Sequence, residues 1–346
     1  MPNRSSALRR TAGLATAALF VSAFFGQAAG EQATERTFPL VYTQSTQDFQ
    51  EIATTVRTIA LLREMPVDAE RKSLTVRGEA DRIALAQWLI SELDKPAGDQ
   101  PGKRVEMREY RMPGSNGDLV RVVYLGFVQT SRDLQEIATV LRTNADIRLL
   151  YICNARKALT LRGSADEVEL AQWMIDGLGK PAGAQNHAVR EYRPAGRALE
   201  VAQVSCLRYA ETPYDIQEFN TLLRTVAHVR HLFTYDSKKA LVMRGSPEEM
   251  AASRWLVDEL DKDGAQRGVS PRASEYRPGG DGEVVRVIYF GKSATAQDLQ
   301  QFAAIVRQKT PIRKMFTYSA SKALILRDTA DQVALAESLV QAPAKP

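Results

Sequence analysis

The chain has 346 residues and a formal charge of +5, but Arg4, Arg9 and Arg10 supply three of those charges within the first 30 residues. Removing those three from the 46 Lys and Arg leaves 43 basic against 41 acidic residues, a balance that argues against a protein built to hold nucleic acid or anionic membrane by bulk electrostatics. The two cysteines, Cys153 and Cys206, sit in strand-like runs and read as buried or partly buried free thiols, with an intermodule disulfide as the alternative in an oxidising compartment.

Residues 1–30 read as a secretory signal peptide. The three arginines precede an uncharged run from Thr11 to Gly30 that ends on the small residues Ala28, Ala29 and Gly30. Seven Ala make that run weakly hydrophobic for a spanning helix. A cleaved leader is therefore expected, with a periplasmic or secreted mature protein and no stable membrane span.

The first element after the leader is TFPLVY at 37–42, a strand candidate by its β-branched and aromatic residues. Ser45, with Asp48 three residues on, marks a helix start, since a hydroxyl accepts from the first-turn N–H groups and the carboxylate favours the positive end of the dipole. Phe49, Ile52, Ala53 and Val56 form its buried stripe at i, i+3, i+4, i+7 spacing. Two short strands and a second helix follow, and LDKPAG at 93–98 breaks that helix with Pro and Gly.

This succession returns three times. Asp48, Asp133, Asp215 and Asp298 each stand nine residues before Arg57, Arg142, Arg224 and Arg307, and the period of roughly 83 residues indicates four small similar domains rather than a solenoid of short units. The opening strands recur at 119–125, 201–207 and 283–290, and the N-caps at Thr130, Thr212 and Thr295, with Pro213 at a first helical position. Asn154 and Asp236 with their lysine-rich neighbours supply hairpin turns. Ser164 with Glu167, Ser246 with Glu249 and Thr329 with Gln332 form capping boxes for the second helices.

The expected fold is α+β: modules at 36–98, 105–183, 189–264 and 273–346, each β-α-β-β-α with two helices on one face of a three-stranded sheet. Units this small bury modest cores, so neighbouring modules are expected to stabilise one another. Before modules two to four stands a further recurring piece, REYRMPGSNGD, REYRPAGRALE and SEYRPGGDGE, carrying Tyr110, Tyr192 and Tyr276. It reads either as an edge strand or brace between modules, or as an ordered linker.

The modules resemble the repeated N-terminal domain of bacterial secretins, the periplasmic ring-building units of secretion and pilus channels. The resemblance lies in the opening strands Arg121–Leu125 and Arg286–Phe290, the D-L-Q-x-x-A helix, the K-A-L-x-x-R-G strands Lys157–Gly163 and Lys239–Gly245, and the L-D-K-P ending Leu93–Pro96. It implies a KH-like module whose helices and sheet edges pack against further copies of the same domain. No membrane-spanning secretin segment follows the fourth module, so a channel is not expected.

No catalytic, cofactor-binding or metal-ligating residues are expected. Gly114 to Gly117 spell the GXXG of RNA-binding KH domains, but in a turn before a strand instead of between two helices. Of the three His, His187 is isolated, and strand alternation sets His228 and His231 on opposite faces. No Gly-rich phosphate loop, metal spacing or nucleophile motif occurs. The informative residues are Trp88, Trp173 and Trp255, which share one position of the second helix, about 140° from the main buried stripe; the last module has Ser338 there. They are candidate intermodule contacts, each packing on the module that follows, or else parts of an enlarged intradomain core.

The expected function is that of a non-enzymatic exported scaffold of the bacterial envelope, accessory to a secretion or pilus-type assembly, with protein partners or self-association and no nucleic acid. The competing expectation is a periplasmic protein that binds cell-wall glycan or peptide between modules, with Tyr151, Phe233, Tyr235, Phe316 and Tyr318 stacking on a sugar. The turn pairs Arg156-Lys157 and Lys238-Lys239 are expected at solvated tips or against acidic partners.

Overall fold

The computed structural model describes residues 34–96, 105–113, 117–180, 189–262, 273–279, 282–291 and 293–341; the leader at 1–30 lies outside them. Module one runs β1 (Thr34–Pro39), α1 (Thr46–Ile59), β2 (Val67–Asp68), β3 (Ser73–Gly78) and α2 (Ala80–Leu93). Module two contains β4 (Val105–Arg111), β5 (Asp118–Leu125), α3 (Ser131–Asn144), β6 (Leu149–Cys153), β7 (Ala158–Ser164) and α4 (Ala165–Leu178). In module three these become β8 (Arg190–Tyr192), β9 (Val201–Cys206), α5 (Pro213–Leu222), β10 (His231–Tyr235), β11 (Ala240–Gly245) and α6 (Pro247–Leu260). Module four has β12 (Ala273–Tyr276), β13 (Glu283–Tyr289), α7 (Ala296–Lys309), β14 (Lys314–Tyr318), β15 (Ala323–Thr329) and α8 (Ala330–Gln341).

The α+β class and the repeated unit are as the periodicity implies, but the sheets of modules two to four have four strands rather than three. Their orders are β4-β5-β7-β6, β8-β9-β11-β10 and β12-β13-β15-β14, all antiparallel, against β1-β3-β2 in module one. The extra strand is the R-E-Y-R piece, which pairs along the edge of the opening strand that would otherwise present unpaired backbone.

Local chemistry explains the elements. Thr130, Thr212 and Thr295 each accept from the N–H three residues on, while Asp133, Asp215 and Asp298 accept from the cap N–H in return, so α3, α5 and α7 open on capping boxes, whereas α1 has only the Ser45 hydroxyl accepting from Asp48 N. Ser164 with Glu167 and Ser246 with Glu249 do the same for α4 and α6. Each hairpin turn ends on a lysine in the left-handed region: Lys72, Lys157, Lys239 and Lys322 have φ between 46° and 49°. Glycine favours that conformation, yet lysine holds it because the ammonium finds a backbone carbonyl: Lys72 Nζ donates to Thr43 O at 2.7 Å and Lys157 Nζ to Val128 O at 3.0 Å, and Lys239 Nζ donates to Ala210 O. Lys157 and Lys239 are thus tied back to the backbone instead of standing at solvated tips, Arg156 is buried at 7% exposure, and Lys238 is half-exposed.

The opening strand and the two hairpin strands of a module have one face toward its own two helices. In module two that face carries Leu119, Val123, Leu159 and Leu161, packed with Leu134, Ile137, Val168 and Ile175 of α3 and α4. The opposite face, Val120, Val122, Tyr124, Cys153 and Ala158, is also buried, but it belongs to the core of module one. Modules three and four repeat this. Ala202, Val204, Tyr235 and Val242 pack into the core of module two, and Val285, Val287, Tyr318 and Ile325 into that of module three. The opening and hairpin strands of three sheets are therefore covered on both faces, once by their own helices and once by the preceding module.

Candidate functional site: the helix-on-sheet junction

Each junction is built by a second stripe on the first helix of a module, three, seven and eleven residues after its Asp. The residues are Glu51, Thr55 and Ile59 on α1, Glu136, Val140 and Asn144 on α3, and Glu218 and Leu222 on α5 with Val226 in the π-helical turn Leu223–Ala227 that continues it. Thr55, Val140 and Leu222 are fully covered, as are Ile59, Asn144 and Val226. This stripe lies beside the one that feeds the intramodule core, which makes the first helix two-sided.

Hydrogen bonds fix the register at both ends of the stripe. The Glu51 carboxylate accepts from Asn154 N at 2.7 Å and Asn154 Nδ2 at 2.9 Å, and Glu136 accepts from Asp236 N at 3.1 Å. Burial pushes the Glu218 carboxyl above the usual carboxylate range, while Ser319 in the next hairpin turn donates to it. At the other end the arginine of the K-A-L-x-x-R-G strand reaches a carbonyl near the end of the helix. Arg162 donates to Ile59 O at 2.8 Å and Arg327 to Val226 O at 3.2 Å, each guanidinium also pairing with an acid of its own sheet, Asp118 or Glu283. Arg244 does the same work through Asp146 at 2.9 Å and Glu200 at 2.6 Å, and His231 Nδ1 lies 3.0 Å from Thr143 O.

The second helices contribute a separate contact. Trp88, Trp173 and Trp255 lie against Tyr110, Tyr192 and Tyr276 with ring centroids 5.4, 5.4 and 5.5 Å apart, the first pair tilted at 41° and the other two stacked. Each tyrosine stands on the fourth strand of the following module, on the sheet face turned toward the tryptophan. Arg190 lies over the Trp173 ring at 5.8 Å. Beside them Tyr124 OH donates to Glu92 O at 2.6 Å and Tyr289 OH to Glu259 O at 3.0 Å. Ser338, which stands in place of the fourth tryptophan, is exposed and bonds within α8, to Leu335 O at 2.7 Å.

Two features escape a reading of apolar periodicity. The junction stripe is one, because Glu51, Thr55, Glu136 and Asn144 are polar; the recurrence of glutamate at one helical position and of arginine at one strand position was the available signal. The other is a polar tie that holds the fourth strand. Arg121 bonds Glu109 at 2.6 Å and Arg286 bonds Glu275, from strand to strand, whereas module three has Gln203 at the arginine's place and supplies Arg254 from α6 to Glu191. The charge has moved from strand to helix while the tie to the edge glutamate is retained.

The remaining sequence candidates are scattered. His228 is not on a strand, as alternation required, but in the left-handed turn that closes the helix, with φ 65°; His187 and Gly114 to Asn116 lie outside the described residues, and Gly117 precedes β5 with φ 94°. Among the described residues there is no group of three or more His, Cys, Asp or Glu disposed to hold a metal ion, and no helix is long and apolar enough to cross a membrane. Cys153 and Cys206 are both free thiols. Burial pushes them up to about 12 and about 11.

No family model and no curated protein matches the chain. Among solved structures it is similar to Aeromonas hydrophila ExeD, at 12% identity over 67% of this chain and 42% of that one, TM-score 0.16. It is similar also to XcpQN012, at 14% identity over 67% of this chain and 100% of that one, TM-score 0.23. The type II secretion system secretin GspD of E. coli K12 matches at 10% identity over 86% of this chain and 58% of that one, TM-score 0.16. The chain thus spans less than two thirds of ExeD and of GspD. Overlaps of this size describe a likeness of parts; the junction geometry carries the functional reading.

Proposed function

We propose that this chain is a non-enzymatic, exported scaffold of the bacterial envelope, a row of four modules that works by presenting surfaces to other proteins in a secretion or pilus-type assembly. The observation that supports it is the threefold repetition of one junction, in which the first helix of a module docks on the free sheet face of the next. A chain that spends its recurrent residues on module-to-module contact is organised for spacing and docking. The repeated D-L-Q-x-x-A and K-A-L-x-x-R-G segments, which resemble secretin N-terminal domains, supply the setting.

The competing reading, a glycan or peptide bound between modules, has two of its five aromatics buried, while Tyr151, Phe233 and Phe316 are half-buried. Tyr235 and Tyr318 are 1% exposed inside the junctions, so a sugar reaches them only if modules part. An open groove of about 390 Å³ beside Trp255 has Glu191, Arg193, Arg254 and Asp258 on its walls, a mixture of charges without one ligand sign. Fractionation of native-level protein followed by crosslinking tests the proposal. The expected result is a leaderless protein in the periplasmic fraction, crosslinked to envelope proteins. A cytoplasmic protein with residues 1–30 intact, or one without protein neighbours, overturns it.

A further inference from the structure

We propose that the chain associates head to tail with a second copy of itself, helix α7 of one copy docking on the outward sheet face of module one in the next. The inference rests on the scaffold reading and names its partner. Among the described residues both halves of the internal junction are present and uncovered, one on α7 of module four and the other on the outward sheet face of module one. On α7 the junction stripe is Gln301, Ile305 and Lys309, all exposed. Ile305 is 39% exposed, where Thr55, Val140 and Leu222 at the same position are at 0%. On module one the face that modules two to four bury is solvated. Thr37 and Glu35 hold the places of Val122 and Val120, and Arg77 holds that of Arg162.

The polar groups match in kind. Arg77 pairs with Glu35 at 2.8 Å, as Arg162 pairs with Asp118, and its side chain is 47% exposed. It is thus placed to reach the Lys309 carbonyl, the counterpart of the Ile59 and Val226 carbonyls that receive Arg162 and Arg327. Gln301 keeps an acceptor oxygen where Glu51, Glu136 and Glu218 stand, and the Lys309 ammonium meets the acidic Glu35. Continuity with three established interfaces therefore selects the occupant. Because threonine and glutamate replace valines, the contact buries less apolar surface than the internal ones and is weaker, reversible and sensitive to salt. The interface is heterologous, so it generates open filaments or closed rings rather than a two-fold dimer.

The test is the light-scattering mass of the purified chain across concentrations up to about 1 mM, the range in which weak contacts half-saturate. Mass rising with concentration, and falling back in high salt, is expected. Lys309→Glu alone and Glu35→Lys alone each weaken association by about tenfold or more through like-charge contact. An equimolar mixture of the two variants, in which opposite charges again meet, restores it. Circular dichroism melting of each variant guards against loss of fold. A monomer at every concentration, or assembly indifferent to both reversals, overturns the inference. If that monomer still crosslinks to envelope proteins, the scaffold reading stands and this inference alone fails.

Discussion

Trp173→Ala is the sharpest probe of what a junction is worth. The Trp173 ring is half-buried, stacked on Tyr192 at 5.4 Å with 29° between planes, and lies under the Arg190 guanidinium. A fully buried tryptophan costs about 3–5 kcal/mol on truncation, and half of that burial corresponds to about 2 kcal/mol. Loss of the stacked pair adds about 1 kcal/mol, so about 3 kcal/mol is expected in denaturant unfolding followed by far-UV circular dichroism. Tyr192→Ala removes the same pair from the other module, so the double variant should show about 1 kcal/mol of coupling. Ser338→Trp, with no fourth strand beyond it among the described residues, should change stability by less than about 0.5 kcal/mol. If Trp173→Ala and Tyr192→Ala simply add, the ring is part of its own module's core and the reasoning fails.

Two further outcomes follow from particular contacts. Asp261 is 2% exposed and accepts from the Arg208 and Tyr209 N–H groups, the second at 2.8 Å; Asp261→Ala orphans both donors and should cost about 2 kcal/mol, detectable as a shifted unfolding midpoint. The Arg121 guanidinium bonded to Glu109 holds that carboxyl below the usual carboxylate range, and Arg286 does the same for Glu275. A depressed carboxylate contributes stability that is present above its unfolded value, about 4.3, and is lost as pH falls through the folded value. Stability should therefore drop on acidification below about pH 4, and Glu109→Gln should flatten that drop; an unchanged acid profile in the variant would show the tie to be irrelevant.

Much of this was legible in the sequence because caps, turns and apolar stripes are local. Thr130 with Asp133 predicts its helix start whatever surrounds it, and Leu134, Ile137, Ala138 and Leu141 name a buried face. What period alone conceals is the second face. Val120, Val122 and Tyr124 alternate with Leu119, Arg121 and Val123 in a strand buried on both sides, and a continuous apolar run does not say what covers each side. The fourth strand was ambiguous because Arg108, Glu109 and Arg111 are polar and its pairing depends on a distant partner, β5. Asp94 and Gly179 show a difference of the same kind. Asp94 anchors the loop at 41–43 by accepting from Tyr42 N and Thr43 Oγ1 at 2.9 Å, whereas module two has Gly179, against which Phe127 packs so closely that an added Cβ would sit 3.1 Å from its ring.

Module four departs from its copies at its exposed helix. The first helices of modules one to three close on Leu61, Asp146 and His228 in the left-handed region, with φ 53°, 58° and 65°. Module four has Pro311 at that position, whose ring forbids positive φ, and Thr310 instead caps α7 in an extended conformation. The junction stripe of α7 consequently leads into a different exit, at the same end where Gln301, Ile305 and Lys309 are exposed.

The docking of module on module is tested most directly by a residue the chain already has. Cys153 is 1% exposed beneath module one, and that cover pushes its thiol up to about 12, which lowers the reactive thiolate about a thousandfold relative to a free cysteine. Alkylation by iodoacetamide, followed at the Cys153 peptide by mass spectrometry, should therefore be negligible in the folded chain. It should rise about a hundredfold or more in Thr55→Arg, which forces a charged side chain into the α1 stripe. Alkylation of folded wild-type Cys153 at the rate of a free thiol would contradict the docked arrangement.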